Sequence, residues 1–226
     1  MPQTPSADHT PGLPALRTQA ENLIALGITK SAGLSAADLH TFTTQAGADR
    51  QDALLVIHHS LAPASALTPL LRRGDKPGFV VTDMPDVDQF TPYAAEIPDA
   101  PMYLVHGLDR GDHLANWSPE EALPELTGKN RTPLLLTEGI HWVLQQADAL
   151  ARNQCFMTIG SRLRKANGNY DARTPAVWIS NGTGRDGRER RNAPKVGWCW
   201  WRNRHTWLGF GSTTGREAPA PDPTTL

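Results

Sequence analysis

The sequence predicts an α+β or mixed α/β fold, with helices and short strands in the N-terminal two-thirds and an antiparallel, tryptophan-rich meander at the C-terminus. Three observations support this class. Helical apolar spacing and short apolar runs alternate before residue 152, and after it strand-like runs are joined by Gly-, Asn- and Arg-rich links. A hydrophobic content of 39% with 20% charge is typical of a globular protein. We therefore predict one globular domain over residues 15–216, with an acidic α/β part (15–151) and a basic, Trp-rich β part (152–216).

Four segments have the apolar spacing and end signals of helices. Ser35, with Asp38 three residues later, is a predicted N-cap, and Gly47 ends that helix. Ser118 is a second N-cap, followed by Pro119 and two glutamates. The predicted helices are "LPALRTQAENLIALG", "SAADLHTFTTQAG", "SPEEALPEL" and "TEGIHWVLQQADALARN", the last with Thr137 as its cap.

Seven short apolar runs predict strands. The continuous apolar character of the first three fits strands that are covered on both faces. These three are "ALLVIH", "GFVVT" and "MYLVHG", and the four of the meander are "CFMTIGSRL", "AVWIS", "KVGWCWW" and "HTWLGFGS".

The two ends of the chain and its cysteine count bear on location. Residues 1–14 lack the regions of a signal peptide and predict a flexible tail, and the Pro-rich residues 217–226 predict a disordered one. No uncharged apolar window is long enough to span a membrane. Two cysteines form neither a disulfide framework nor a zinc cluster, so we expect a cytoplasmic protein.

Charge is unevenly distributed, although the net charge is only -1. Residues 1–151 carry 9 Lys/Arg against 18 Asp/Glu, and residues 152–226 carry 13 against 5, so the two parts have net charges of -9 and +8. Five of the seven tryptophans lie in the basic part. This asymmetry favours an anionic ligand or nucleic acid as partner. The alternative is that the two parts neutralise each other within one fold.

The densest aromatic stretch is "KVGWCWWRNRHTWLGFG", residues 195–211. A hairpin with a three-residue turn at 202–204 places Gly197, Cys199, Trp201, His205, Trp207 and Gly209 on one side. The other side, which is apolar and predicted to be core, then holds Val196, Trp198, Trp200, Thr206, Leu208 and Phe210. A turn of two or four residues instead groups Trp198, Trp200 and Trp207. We favour the first register and interpret its mixed side as a partly open functional face.

A basic loop precedes this hairpin. In "ISNGTGRDGRERRNAPK" the glycines allow close backbone approach, and the guanidinium groups supply forked donors for phosphate or carboxylate. The spacing matches neither the P-loop nor the dinucleotide fingerprint, and a solvated basic loop is the alternative. Arg162, which follows a predicted strand, is a further cationic candidate. The loop, Arg162 and the hairpin together give these ligand-binding candidates: Arg162, Arg185, Arg188, Arg190, Lys195, Trp198, Asn203, His205 and Trp207.

Catalytic and metal chemistry is less strongly indicated. Polar residues follow several apolar runs and would converge on a crevice in a parallel sheet; they are His58, His59, Asp83, His106 and Glu138, with Asp109 and Asp112 nearby. No HExxH or paired-His spacing occurs, so no metal site is assigned. Cys155 or Cys199 with His205 would form a thiol and base pair, and the weak catalytic candidates are Glu138, His141, Cys199 and His205. No cofactor is implied.

Several strings together resemble a domain family of unknown function found mainly in actinobacteria. They are "NQCFMTIGSR", "PAVWIS", "APKVGWCW" and "NRHTWLG", supported by "RTPLLLTEGIHWVLQ" and "YLVHGLDRGDHLANWSPEEALP". The resemblance runs from about residue 15 to 216. It implies a full-length cytoplasmic domain and carries over no catalytic residues.

Three hypotheses follow. The first is a binding module whose basic, Trp-rich sheet and Arg loop hold a nucleotide or nucleic acid. The second is a small-molecule enzyme with its site between the two layers. The third is an accessory protein whose Trp and Arg residues dock a protein partner. We favour binding.

Overall fold

A computed structural model describes residues 12–219. The fold is mixed α+β, as the sequence predicts, with six α-helices within this range. The helices are α1 (Leu16–Ala25), α2 (Ile28–Ser31), α3 (Ala36–Ala46), α4 (Ala64–Leu67), α5 (Pro119–Gly128) and α6 (Leu136–Gln145).

The strands form a three-stranded sheet, a five-stranded sheet and three small pairs. The strands are β1 (Ala53–Ile57), β2 (Arg72–Arg73), β3 (Lys76–Pro77), β4 (Phe79–Val80), β5 (Phe90–Pro92), β6 (Met102–His106), β7 (Thr132–Pro133), β8 (Cys155–Met157), β9 (Ser161–Leu163), β10 (Arg173–Ile179), β11 (Pro194–Trp200), β12 (Leu208–Phe210), β13 (Ser212–Thr213) and β14 (Gly215–Glu217).

Local sequence signals set two helix starts as predicted. Ser35 and Asp38 form a reciprocal capping box at α3, in which each side chain bonds the other's backbone N–H. Ser118 and Glu121 do the same at α5. Gly47 ends α3 with a φ of 93°, a conformation that glycine adopts without a Cβ clash.

The five-stranded sheet has the order β12-β8-β10-β11-β4 and separates two apolar clusters. On its core face, Phe156, Val177 and Val196 join the main core, which the three-stranded sheet and α6 share. On its outer face, Met157 and Ala176 join a smaller cluster beneath α5. We use the names core face and outer face for these two sides below.

The predicted hairpin between β11 and β12 is wrong, although β10 is antiparallel to both of its neighbours, β8 and β11, as expected for the C-terminal sheet. β12 pairs with β8, in parallel, and so two strands separate it from β11. Residues 201–207, which we call the crossing segment, therefore cross the sheet instead of turning tightly. Leu208 and Phe210 consequently pack with the outer-face cluster and not beside Val196.

Three further expectations are corrected. β1 and β6 are antiparallel, so the polar residues after these strands lie at opposite ends of the sheet and do not converge on one crevice. Helix α6 ends at Gln145, whereas the predicted helix continues to Asn153. Thr137 lies inside α6 and does not cap it; the carboxylate of Glu138 accepts the hydrogen bond from Leu135 N there instead.

Most of the two predicted tails, residues 1–11 and 220–226, lie outside the described residues. Glu217, which the sequence analysis placed in the C-terminal tail, is the last residue of β14. β14 pairs with β6 and completes the three-stranded sheet.

Candidate ligand-binding cleft

Two indoles form the walls of a cleft on the outer side of the five-stranded sheet. Trp178 is near the end of β10, and Trp207 is the last residue of the crossing segment. The cleft has a volume of about 260 Å³ and is completed by Ala151, Asn153, Gln154, Ile179 and Asn181. Trp207 is 42% exposed, so its ring is accessible to a ligand.

Three amide side chains are the polar groups of this cleft. Asn153 and Gln154 belong to the short turn that precedes β8, where Asn153 adopts a φ of 60° that Asn tolerates better than most residues. Asn181 follows β10. Each amide offers both a donor and an acceptor, and such groups recognise the edge of a heteroaromatic ring.

Arg152 connects the cleft to a neighbouring cationic groove. One of its terminal nitrogens donates to the Oδ1 of Asn181, at 3.1 Å, and the other donates to the Oδ1 of Asn192. Asn181 lines the cleft and Asn192 lines the groove, whose other lining residues include Arg72, Arg73, Lys76, Asp75 and Asp148. Within residues 12–219, none of these four cations forms an ion pair with a carboxylate. The groove therefore retains positive charge next to the indoles.

Lys195 contacts Trp178, one wall of the cleft. Its ammonium lies 4.7 Å from the centre of the Trp178 ring and 2.8 Å from the carboxylate of Asp186. Asp186 also accepts from the Ser180 hydroxyl at 2.7 Å. Because its charge is paired, Lys195 orients Trp178 and is not a free anion-binding group.

Cys199 and His205 meet, as the sequence analysis expected, but through a different geometry. Cys199 points from β11 to the outer face, and His205 reaches it from the crossing segment, with 2.8 Å between Sγ and Nε2. The centre of the His205 ring is 5.9 Å from that of Trp207, but neither Cys199 nor His205 lines the cleft itself. Burial raises the pKa of the Cys199 thiol, which favours the neutral form. Cys155 is buried, and burial raises its thiol pKa further.

The basic loop contributes less than the sequence analysis predicted. Arg185 forms an exposed ion pair with Asp83 at 3.0 Å, and Arg190 lies 4.5 Å from the centre of the Phe79 ring. Arg188 is exposed. None of these three lines the cleft or the groove.

Much of the charge asymmetry is neutralised within the fold. Five arginines of the basic part pair with carboxylates of the acidic part: Arg173 with Asp86, Arg185 with Asp83, Arg202 with Glu120, Arg204 with Glu121, and Arg216 with Glu138. The Arg204 guanidinium and the hydrogen bonds from Ser118 lower the pKa of Glu121 to about 2. Neutralisation within the fold, the alternative stated above, thus accounts for these five arginines. The unpaired cations of the groove are different residues.

The remaining tryptophan-stretch candidates are outside the cleft. Trp198 is half-buried on the core face and packs edge-on against Trp200, with ring centres 4.5 Å apart. Asn203 is exposed in the turn that follows β11. Neither residue lines the cleft.

Glu138 and His141 lie in α6 on the core side of the sheet, away from Cys199. Glu138 is fully buried and accepts from Arg216 at 2.6 and 2.7 Å and from the Tyr103 hydroxyl at 2.9 Å. In His141, Nδ1 lies 2.8 Å from the Thr137 carbonyl oxygen and Nε2 accepts from a backbone N–H. Both side chains therefore have structural partners within the core.

No group of three or more His, Cys, Asp or Glu side chains within residues 12–219 is placed to hold a metal ion. The ring centres of His58 and His59 are 4.3 Å apart with the rings tilted by 43°, and His58 forms a hydrogen bond with Ser60. His106 lies 3.0 Å from Glu217.

Arg162 is buried at the opposite end of β10 from the cleft. It lies in β9, and its guanidinium is 3.9 Å from the centre of the Trp201 ring. Arg162 and Trp207 were both predicted to bind the ligand, but the structure places them in different sites.

Sequence reasoning missed the residues that build the cleft and its groove. Trp178 was assigned only to a strand, and the polar "ARNQ" turn before β8 received no role. The signal for the groove is the local "RRGDK" cluster, in which three cations lie within five residues of an otherwise acidic part. The cluster lies near Arg152 only in the folded chain, so a local sequence pattern could not predict this proximity.

The chain belongs to a family of unknown function, DUF5701, whose model matches residues 22–219. This family assignment covers most of the chain and includes both the cleft and the groove. No curated protein and no solved structure matches the sequence significantly. None of the helices in the described part of the chain is long and apolar enough to cross a bilayer.

Proposed function

We propose that this protein binds a nucleotide, either free or as a unit of single-stranded nucleic acid, with the base between Trp178 and Trp207. The observation that carries the proposal is the position of Arg152, which contacts both Asn181 of the cleft and Asn192 of the groove. Indoles, amides and unpaired cations are the three groups that a base and its phosphate require together.

The division of roles follows from the geometry. In the proposed complex the indoles supply the stacking surface, and the amides of Asn153, Gln154 and Asn181, which line the cleft, bind the edge of the ring. The phosphate then lies towards the groove, where Arg72, Arg73 and Lys76 add positive charge. Asp75 and Asp148 partly offset that charge, and so the groove suits one or two phosphates better than a long polyanion.

Binding experiments on the full chain test the proposal. Calorimetric titration with the nucleoside monophosphates, and fluorescence anisotropy with a labelled single-stranded oligonucleotide, separate a free nucleotide from a polymer unit. Saturable binding is expected, and Trp207→Ala should weaken it about tenfold because base–aromatic stacking is lost. Arg152→Gln should weaken it and reduce its salt dependence.

The matched control is Trp117→Ala, since Trp117 is also exposed but does not line the cleft. It should leave binding unchanged. The proposal fails if neither ligand type binds at about 20 mM salt, or if the substitutions at Trp207 and Trp117 have the same effect.

The 2.8 Å contact between Cys199 and His205 favours a second candidate, a thiol-dependent enzyme that acts on a substrate bound beside Trp207. The thiol sulfur would add to a carbonyl carbon of the substrate, the electrons of the carbonyl π bond would move onto its oxygen, and the imidazole would accept the thiol proton. This candidate predicts that Cys199→Ser abolishes substrate turnover while the ligand still binds. Unaltered turnover in that variant would exclude it.

We also propose a cytoplasmic location. The support is that Cys155 and Cys199 are free thiols and that neither forms a disulfide. Fractionation of cells that produce the tagged full-length chain tests this location, and recovery outside the cytoplasm would overturn it.

A further inference from the structure

Arg162 is a buried cation without a carboxylate partner in the described part of the chain. It occupies the middle of β9, opposite Thr91 of β5, and is only 5% exposed. Its Nη2 donates to the backbone carbonyl of Asp171 at 2.7 Å. Its Nε is buried and has no hydrogen-bond partner among residues 12–219. Part of its donor capacity is therefore unused.

Aromatic rings enclose this guanidinium. Its central carbon lies 3.9 Å from the centre of the Trp201 ring and 5.4 Å from the centres of both Tyr93 and Tyr170. The nearby carboxylate of Asp171 is occupied, because it pairs with Arg173 at 3.2 Å and with Lys165 at 3.6 Å. Burial lowers the pKa of the Arg162 guanidinium, because removal from water disfavours the charged form.

A cavity of about 380 Å³ opens onto Arg162. Its walls are apolar or aromatic except for Arg202, whose guanidinium is 3.2 Å from the Glu120 carboxylate. Trp200 and Tyr170 line this cavity and are 47% and 41% exposed. The other lining residues are Ala172 and Trp201.

A buried charge is costly unless an opposite charge and hydrogen bonds compensate it. The ring faces compensate Arg162 in part through cation–π attraction, but its Nε remains without a partner. The cavity beside it is walled by indole and phenol rings, which are suited to stacking against a flat ring.

We propose that this cavity binds a small aromatic carboxylic acid, whose carboxylate pairs with Arg162 and whose ring packs against Trp200 and Tyr170. A planar guanidinium matches a planar carboxylate with two parallel hydrogen bonds. A carboxylate carries one negative charge and so balances the one unpaired cation here. A phosphate dianion would leave an uncompensated charge among the aromatic walls.

This site is separate from the nucleotide cleft. Ala172 immediately precedes β10 and lines the Arg162 cavity, whereas Trp178 and Ile179 at the other end of β10 line the cleft. At about 3.3 Å per residue, the two sites are roughly 20 Å apart along the strand. The inference therefore does not depend on nucleotide binding.

Calorimetric titration of the full chain with benzoate is the test. Saturable binding is expected, whereas benzyl alcohol, which keeps the ring but lacks the charge, should bind at least about tenfold more weakly. Acetate, which keeps the charge but lacks the ring, should also bind more weakly. Absence of benzoate binding, equal binding of benzyl alcohol, or tighter binding of inorganic phosphate would each overturn the proposal.

Two variants connect binding to Arg162. Arg162→Met removes the charge while keeping an unbranched side chain, and it should abolish benzoate binding. Arg162→Lys keeps the charge but lacks the planar fork, and it should weaken binding at least about tenfold. Arg17→Gln, at an exposed ion pair on α1, is the control and should bind benzoate like the unchanged protein.

Thermal unfolding distinguishes a ligand site from a structural cation. A buried cation that is kept for binding is replaceable by an apolar side chain without loss of stability. The melting temperature of Arg162→Met should therefore be retained or raised. A loss of stability in Arg162→Met combined with unaltered benzoate binding in Arg162→Lys would show that Arg162 only organises the surrounding rings.

Discussion

At the scale of single residues, His141 is a buried neutral imidazole with both ring nitrogens bonded. Burial lowers its pKa to about 4, although the hydrogen bond to Thr137 and the charge of Glu138 oppose this shift. The unfolded chain has the ordinary value of about 6.5 and therefore binds more protons between these two values. Stability should fall as the pH drops through this window, by about 2 kcal/mol between about pH 7 and pH 5.

Urea unfolding of the unchanged protein and of His141→Gln at these two pH values measures the effect. A glutamine is uncharged and has both a donor and an acceptor, so the variant should show a weaker pH dependence. Burial also lowers the pKa of His59, which contributes in the same direction in both proteins and cancels in the comparison. Equal pH dependence of the two proteins would contradict the assignment of the effect to His141.

Cys199 lies close to a base, yet its thiol is expected to react slowly. Its thiol is 2.8 Å from His205, but burial raises its pKa and reduces the thiolate fraction. Because the thiolate is the nucleophile, alkylation by iodoacetamide near neutral pH should be slower at Cys199 than at glutathione. Cys155 should react more slowly still, and both should react freely after unfolding. Peptide mass spectrometry over time gives the rates, and faster labelling of Cys199 than of glutathione would favour the enzyme candidate.

At the scale of elements, the crossing segment is held by several kinds of contact. His205 contacts Cys199, and backbone bonds join the segment to the start of α5, to Ala172 O and to Cys155 N. Arg202 and Arg204 add exposed ion pairs with the glutamates at the start of α5. Cys199→Ala removes one of these attachments. A hydrogen bond contributes about 1 kcal/mol, so amide exchange in residues 201–207 should accelerate roughly fivefold.

Hydrogen exchange followed by mass spectrometry measures this acceleration. The peptides of α6 on the core face are the internal reference and should exchange as before. Acceleration throughout the chain would mean that the substitution destabilises the whole fold. An unchanged exchange rate in the crossing segment would mean that its other contacts suffice to hold it.

Elements that depend on nearby residues could be predicted from the sequence, and those that depend on distant partners could not. The capping boxes of Ser35 and Ser118 involve groups three residues apart, so the pattern alone defines them. The placement of β12 depends on pairing with β8, more than fifty residues earlier, and the sequence analysis chose the nearer strand. The Cys199–His205 contact was expected because the residues are close in sequence, while the Trp178–Trp207 cleft requires the long-range pairing.

At the scale of the whole molecule, the ion pairs between the acidic and basic parts differ in their surroundings. Arg202 and Arg204 pair with glutamates at the exposed start of α5, where solvent and salt screen the attraction. Arg216 and Glu138 are almost fully buried, at 3% and 0% side-chain exposure. Burial lowers the pKa of Arg216, but the hydrogen bond and charge of Glu138 outweigh it and keep the pKa raised. The buried pair thus joins β14, near the chain end, to the central helix α6.

Removing one partner of this pair should be strongly destabilising, because the other charge is then left uncompensated in the core. Arg216→Met should lower the free energy of unfolding by about 3–5 kcal/mol. Adding Glu138→Gln removes the remaining charge, so the double variant should be more stable than Arg216→Met alone. Arg50→Gln, which breaks a half-exposed pair with Glu217 on the same strand, should cost less than about 1 kcal/mol. Denaturant unfolding of these variants measures the coupling, and equal costs for Arg216→Met and Arg50→Gln would show that β14 does not depend on its buried ion pair.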